Sequence, residues 1–308
     1  MPAKIPSPTA DTAAATIKPL KGTRVLSLAL NLPGPAALMR CRDMGATCIK
    51  LEPPAPAGAA TSDPMGFYNA GAYAFMHQGI KTVYADLKSE KGRAVLHREL
   101  LKADVLLTSF RPSALTKLGL GWKELNKAYP QLSMVAIVGT PGARAEEPGH
   151  DLTYMAENNL VSGLSLPPTL YADMGGSLLA SEAILQTRLH HLQKGKSVRI
   201  EVALADAARY LGLPNAWGLT KPASPVGGCH AGYGVYACKN GRVALAALEP
   251  HFAAALAAAA GLPDGHVKTM MQPATRTAIA AFVAGKTRHQ LEKLAVAKDI
   301  PLHTLPSA

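Results

Sequence analysis

Aromatic residues are scarce, making up 5% of the 308 positions. Single-stranded nucleic acid is gripped largely by stacking its bases on aromatic faces, so this chain has few platforms for such a partner. There are four cysteines, Cys41, Cys48, Cys229 and Cys238, with no Cys-x-x-Cys pair among them. That pattern argues for reduced thiols and against both a disulfide framework and a zinc site. No apolar run reaches the roughly 20 residues that span a bilayer, and the Ala-rich stretch 252–260 is short enough to be an ordinary helix. Residues 1–18 lack the basic start and apolar centre of a secretory signal. They are expected to form a disordered tail on a cytoplasmic protein. Three motifs are also missing. Without G-x-G-x-x-G there is no nicotinamide-dinucleotide fingerprint, without the Walker A pattern no ATP-driven chemistry, and without G-x-S-x-G no serine-hydrolase elbow.

What the chain does carry is positive charge, 32 Lys+Arg against 21 Asp+Glu, for a net charge of +11. Such a surplus attracts anions. The basic residues are scattered, which favours a small polyanion over nucleic acid or a membrane surface. With 48% hydrophobic and 17% charged residues, the chain has the material for a large core.

The first two-thirds alternate between strand and helix patterns. Apolar runs at 24–30, 47–51, 82–87, 104–108, 132–138 and 198–203 read as strands. Helices are expected at 36–43, ended by Gly45, at 90–102 with Ser89 as its cap, and at about 176–193. This alternation predicts an α/β fold, a Rossmann-like, doubly wound, mostly parallel sheet. The Pro/Gly-rich segment 220–234 reads as a linker. It leads to a smaller α+β domain at 235–308, in which Asn240-Gly241 marks a hairpin between 233–238 and 242–248. Helices should follow near 252–260, near 275–283 and after Thr287. The large domain is thus expected at 19–219.

The most informative triplet is Gly149-His150-Asp151, after the Gly/Pro-rich loop 139–148 that leaves the strand 132–138. Loops at the carboxyl ends of strands carry the chemistry of such folds. A carboxylate there can act as nucleophile or general base. Asp151 can also be a plain helix cap before Leu152. His150 can serve packing or acid–base chemistry. Glu249, in Leu248-Glu249-Pro250-His251-Phe252, is either a second functional carboxylate or a helix N-terminal anion.

Several ordered segments together resemble the family III coenzyme A transferases (CaiB/BaiF type), a family that includes the α-methylacyl-CoA racemases and carnitine–CoA transferases. Asp43-Met44-Gly45-Ala46-Thr47-Cys48-Ile49-Lys50-Leu51-Glu52 resembles its D-L-G-A-D-V-I-K-V-E. Ala85-Asp86-Leu87-Lys88-Ser89 with Gly92-Arg93 is similar to D-L-K-S-x-x-G-R. The stretch from Ala103-Asp104-Val105-Leu106 through Phe110-Arg111-Pro112 to Leu118-Gly119-Leu120-Gly121 follows its A-D-V-L … F-R-P-G … L-G-L-G. Pro148-Gly149-His150-Asp151-Leu152 matches the segment assigned to the catalytic aspartate. Ala172-Asp173-Met174-Gly175-Gly176 resembles A-D-…-G-G. The similarity runs from about Pro19 to Pro301.

The resemblance implies a transferase moving CoA between an acyl-CoA and a carboxylic acid. Asp151 would form the covalent intermediate, with His150 and Glu249 in support. It equally allows a racemase removing a proton α to the thioester. It implies that Phe110, Arg111, Lys117 and Lys50 lie near the CoA, that no metal is needed, and that two subunits form a homodimer, interlocked in the family. Relatives continue into a C-terminal return to the large domain, which is expected to be missing here. Two segments depart from the family pattern. His77-Gln78-Gly79-Ile80 stands for N-R-G-K, and Val138-Gly139-Thr140-Pro141-Gly142-Ala143 stands for S-G-F-G-Q-x-G-P. These departures motivate a third reading, a non-catalytic binding protein on the same scaffold.

Overall fold

The computed structural model describes residues 17–307. The expected tail lies outside these, apart from Ile17 and Lys18. Two compact units divide at Leu211/Gly212.

In the first unit, β1 (Arg24–Ser27) leads to α1 (Pro33–Asp43) and β2 (Thr47–Glu52). Next come α2 (Pro64–Tyr68), α3 (Ala70–His77), β3 (Lys81–Tyr84), α4 (Glu90–Leu100) and β4 (Val105–Thr108). They are followed by α5 (Pro112–Lys117), α6 (Trp122–Ala128), β5 (Ser133–Val138) and α7 (Asp151–Glu157). The unit closes with α8 (Tyr171–Lys194), β6 (Arg199–Ala203) and α9 (Leu204–Leu211). The six strands pair in the order β3-β2-β1-β4-β5-β6, all parallel. This is the doubly wound order, and its direction reverses between β1 and β4.

Local chemistry explains the boundaries. Helix α1 starts at Pro33, whose fixed φ suits a first turn. The chain then turns back at Gly45, which is left-handed at φ 93°. The Ser89 hydroxyl accepts the Gly92 amide at 3.0 Å, capping α4 as the sequence suggests. Strands β4 and β5 are buried along their whole length, so apolar continuity marks them better than alternation does. One face of the sheet packs against α1, α8 and α9 through Leu38, Val105, Val135, Ile184 and Ala208. The other packs through Leu26, Leu51, Leu96, Leu106 and Leu125. Each such leucine, fully buried, contributes roughly 1.5–3 kcal/mol.

The second unit holds α10 (Leu213–Ala216), β7 (Tyr233–Cys238), β8 (Gly241–Ala246) and α11 (Pro250–Ala259). After these come α12 (Val267–Met270), α13 (Pro273–Ala284), α14 (Arg288–Lys298) and β9 (Leu302–Leu305). The three strands form an antiparallel sheet in the order β7-β8-β9. The hairpin and the Thr287 cap stand where the sequence puts them; β9 is an addition. The expected linker at 220–234 is instead folded into this unit. Ser224 caps a short 3-10 turn at Pro225–Gly227. The Arg276 guanidinium donates to the carbonyls of Gly228, His230 and Tyr233. That guanidinium ties the segment to α13, within the unit that begins at Gly212. Among the described residues no helix is long and apolar enough to cross a membrane.

Candidate active site

At the point where strand order reverses, the ends of β1, β4 and β5 leave a cavity of about 170 Å³. Its walls include Asn31 after β1, Phe110 and Arg111 after β4, Gly139 after β5, and Gly149, His150, Tyr154 and Asp173. Its volume is below the roughly 300–1,000 Å³ of sites that swallow a drug-sized ligand. Asn31 is left-handed at φ 64°, a conformation asparagine tolerates. Its amide donates to Asp63 Oδ1 at 3.0 Å, which fixes the loop at the cavity wall.

Asp151 is 5% exposed and stands in the first turn of α7. It does not cap that helix, whose N-cap is His150. Its Oδ1 instead accepts the backbone amide of Asp173 at 3.0 Å. That bond joins the first turns of α7 and α8. Of the two carboxylates, Asp173 is the one that lines the cavity. Burial, and then the nearby Asp151 charge, push the Asp173 carboxyl up to about 6. First turns of helices favour negative charge, yet here desolvation and a like charge outweigh that preference.

In the sequence, the segment containing Asp173 stands out only through the family resemblance, with no role attached to the aspartate. The signal that singles it out is three-dimensional, a half-buried carboxylate facing a cavity beside a second carboxylate. Sequence reasoning misses Tyr154 as well. It is 5% exposed, lines the same cavity, and reaches the backbone where Gly139 and Gly149 have no side chain.

The other expected site residues fall into two groups. His150, Phe110 and Arg111 are cavity walls, with His150 exposed. Lys117 ends α5, is exposed, and is not a wall of the cavity. Glu249 belongs to the second unit, where it is the exposed N-cap of α11.

Lys50, expected beside CoA, is wholly buried. Its ammonium bonds Glu52 Oε1 at 2.8 Å, Asp63 Oδ2, and His77 Nε2 at 2.9 Å. Those three partners use all three of its protons. For Nε2 to accept, His77 must be the neutral tautomer with Nδ1–H directed to Tyr73 O at 2.7 Å. Burial and the adjacent ammonium hold its pKa below the ordinary range. Burial alone would raise Glu52, but bonds from Lys50, Thr61 and Tyr73 outweigh it and keep that carboxyl low. Glu52, Asp63 and His77 offer ligand atoms within 4.8 Å of one another, a metal-like spacing that the Lys50 ammonium already fills. The cysteines are free thiols; burial pushes Cys41 and Cys48 upward, away from reactivity.

A doubly wound sheet with carboxylates, an arginine and an aromatic at its switch point defines an α/β protein with a charged cavity where such folds bind their ligands. The sequence matches CoA-transferase family III over residues 20–308, and the chain belongs to that family. It is 33% identical over 205 residues to the probable fatty acyl-CoA transferase Rv3272 of Mycobacterium tuberculosis, an overlap of 62% of this chain and 52% of that protein. It is 32% identical over 206 residues to a cinnamoyl-CoA:phenyllactate CoA-transferase of Clostridium sporogenes, covering 61% and 50%. It is 27% identical over 273 residues to the α-methylacyl-CoA racemase of Mus musculus, covering 83% and 68%. The chain therefore spans about half the length of the first two relatives. Among solved structures, that of Rv3272 superposes with a TM-score of 0.76 at 25% identity, covering 93% of this chain and 85% of that one.

Proposed function

We propose that the protein moves CoA between an acyl-CoA and a carboxylic acid, with the carboxylate pair Asp151/Asp173 at its centre. The observation that carries this reading is Asp173, a cavity-lining carboxylate with its pKa raised to about 6 and its backbone held by Asp151. An Asp173 carboxylate oxygen adds to the thioester carbon, and the C–S bond breaks, giving a mixed anhydride and a CoA thiolate. The thiolate then attacks the anhydride at the aspartyl carbonyl, releasing the donor acid as a carboxylate and leaving an aspartyl–CoA thioester. The acceptor carboxylate repeats the sequence in reverse and restores Asp173. No net proton is consumed, and one hard exchange becomes several easier ones. Arg111, a cation on the cavity wall, would meet CoA phosphate, and Phe110 would pack against the carrier.

This division of roles differs in one respect from the one the family resemblance implies: Asp151 is the supporting member and Asp173 the reacting one. The deciding experiment is mass spectrometry after mixing the protein with acyl-CoA. A CoA adduct localised to Asp173 by fragmentation supports this division, whereas an adduct on Asp151 reverses it. CoA binding with no adduct and no transfer to any carboxylic acid would favour the non-catalytic reading.

A racemase reading has its own support. The racemase match covers more of this chain than either transferase match, and His150 and Asp173 both line the cavity. The two could remove and return the proton α to the thioester. Deuterium appearing at that carbon from heavy water, without acid-dependent CoA transfer, would select it. A homodimer is part of the proposal as well. Helix α8 exposes Leu178, Leu189 and Leu192, and Leu178 with Tyr210 and Leu211 lines an apolar cavity of about 470 Å³. Sedimentation of the wild type against Leu178→Glu tests it; a wild-type monomer would refute the pairing.

A further inference from the structure

Tyr154 has a polar group with no assigned task. Its ring belongs to the core of the first unit and is 5% exposed. Its hydroxyl makes no hydrogen bond to any described residue. Nor is the hydroxyl among the sealed polar atoms that lack a partner, which among the described residues are Arg24 Nε, His191 Nδ1, His230 Nε2 and Arg288 Nε. An unpartnered side-chain hydroxyl that is not sealed is open, and Tyr154 opens on the cavity it lines.

The space for that hydroxyl depends on two missing side chains. A Cβ on Gly139 would lie 2.1 Å from the Tyr154 oxygen, and one on Gly149 would lie 2.6 Å from it. Both glycines are themselves cavity walls. The phenol is therefore held between two backbone segments rather than swinging from a loop. Burial, followed by the Asp173 charge, raises its pKa, while Arg111 opposes the rise. It remains a protonated donor at neutral pH.

Resting on the acyl-CoA reading above, we propose that the Tyr154 hydroxyl is an oxyanion donor for the reacting acyl group. When Asp173 bonds to the thioester carbon, the carbonyl π pair moves onto the acyl oxygen. That oxygen accepts a hydrogen bond from Tyr154, with no proton transferred. The pair then returns as the C–S bond breaks and the thiolate leaves. A donor already fixed in place costs little reorganisation at that moment, which is why such groups stabilise a transition state more than a ground state.

Tyr154→Phe tests this with the whole protein, comparing kcat, KM, calorimetric CoA affinity and melting midpoint. Loss of one oxyanion donor lowers kcat about 100- to 1,000-fold. KM and CoA affinity should stay within about threefold, because the donor acts on charge that develops only in the transition state. The acid limb of the rate profile should not move, since it belongs to Asp173. Gly139→Ala keeps the phenol but displaces it, and should reproduce the kcat loss. A Tyr154→Phe enzyme within about threefold of wild-type kcat overturns the assignment, and so does a loss shared equally by affinity and melting midpoint. If the wild type forms no adduct and transfers no CoA, the acyl-CoA reading fails first and takes this one with it.

Discussion

Replacing Asp173 by asparagine should make the protein inactive and more stable, and the stability gain should depend on pH in a defined way. The carboxyl has its pKa raised from 3.8 to about 6 by burial and by Asp151. Below about pH 4 the group is protonated in both folded and unfolded chains and contributes no difference. Between about pH 4 and 6 the unfolded chain gives up its proton while the folded one keeps it. The folded state then binds more protons, so its stability falls as pH rises through that window. A shift of about two units at roughly 1.36 kcal/mol per unit amounts to about 3 kcal/mol, fully lost above about pH 6.

Asparagine has no such loss. Its amide still costs some desolvation, so the net gain at about pH 7.5 should be about 1–3 kcal/mol. Denaturant unfolding of both proteins at four pH values from about 4 to about 7.5 measures it. The difference should grow up to about pH 6 and then level off. A difference that is flat with pH, or an asparagine variant less stable than wild type at the highest pH, would refute the placement of an ionisable, desolvated carboxylate at this wall. The same group dictates activity. If the ionised form is the nucleophile, kcat/KM should rise about tenfold per pH unit below about 6 and plateau above it.

Other perturbations separate the neighbouring roles. Asp151→Asn keeps an oxygen for the Asp173 amide but removes the like charge, so the acid limb should move downward while staying above 3.8 because burial remains; an unmoved limb would disprove the coupling. Arg111→Ala should weaken CoA binding in calorimetry by about 10- to 100-fold, the range for a lost bond to a charged group, whereas Lys117→Ala should change it by less than about threefold. Lys50→Met leaves Glu52 and Asp63 buried without their counter-ion and should cost about 3–5 kcal/mol in unfolding experiments; a cost below about 1 kcal/mol would show that the cluster is not closed as described.

The architecture is legible in the sequence because its signals are local. Buried strands announce themselves as apolar runs, Ser89 and Thr287 as caps, and Gly45 as a turn that needs a left-handed residue. The strand β9 is not legible, because Leu302–Leu305 is strand only by pairing with β8. The segment 220–234 reads as a linker because proline and glycine dominate it; Arg276, more than 40 positions later in the chain, is what folds it down. At the site, position along the chain draws attention to Gly149-His150-Asp151, of which Gly149 and His150 line the cavity. The same position cannot show which carboxylate faces the cavity. Asp151 and Asp173 are 22 residues apart in the chain and are brought together by the Asp173 amide bond to Asp151.

Lys50 shows the same limit from the other side. A lysine at the carboxyl end of β2 in a doubly wound sheet invites assignment to a ligand. Its ammonium instead completes a closed set of acceptors on Glu52, Asp63 and His77. The set still bears on the cavity. Asp63 bonds Lys50 with one oxygen and holds the Asn31 amide with the other, and Asn31 is a cavity wall in a left-handed conformation. A departure at His77-Gln78-Gly79-Ile80 that looks like lost cations is, in the fold, a neutral imidazole accepting a hydrogen bond from Lys50. The substitution therefore bears on how the β1–α1 loop is anchored before it bears on charge. On the proposed reading, affinity for CoA would then depend on Arg111 at the cavity wall rather than on the count of basic residues in the chain.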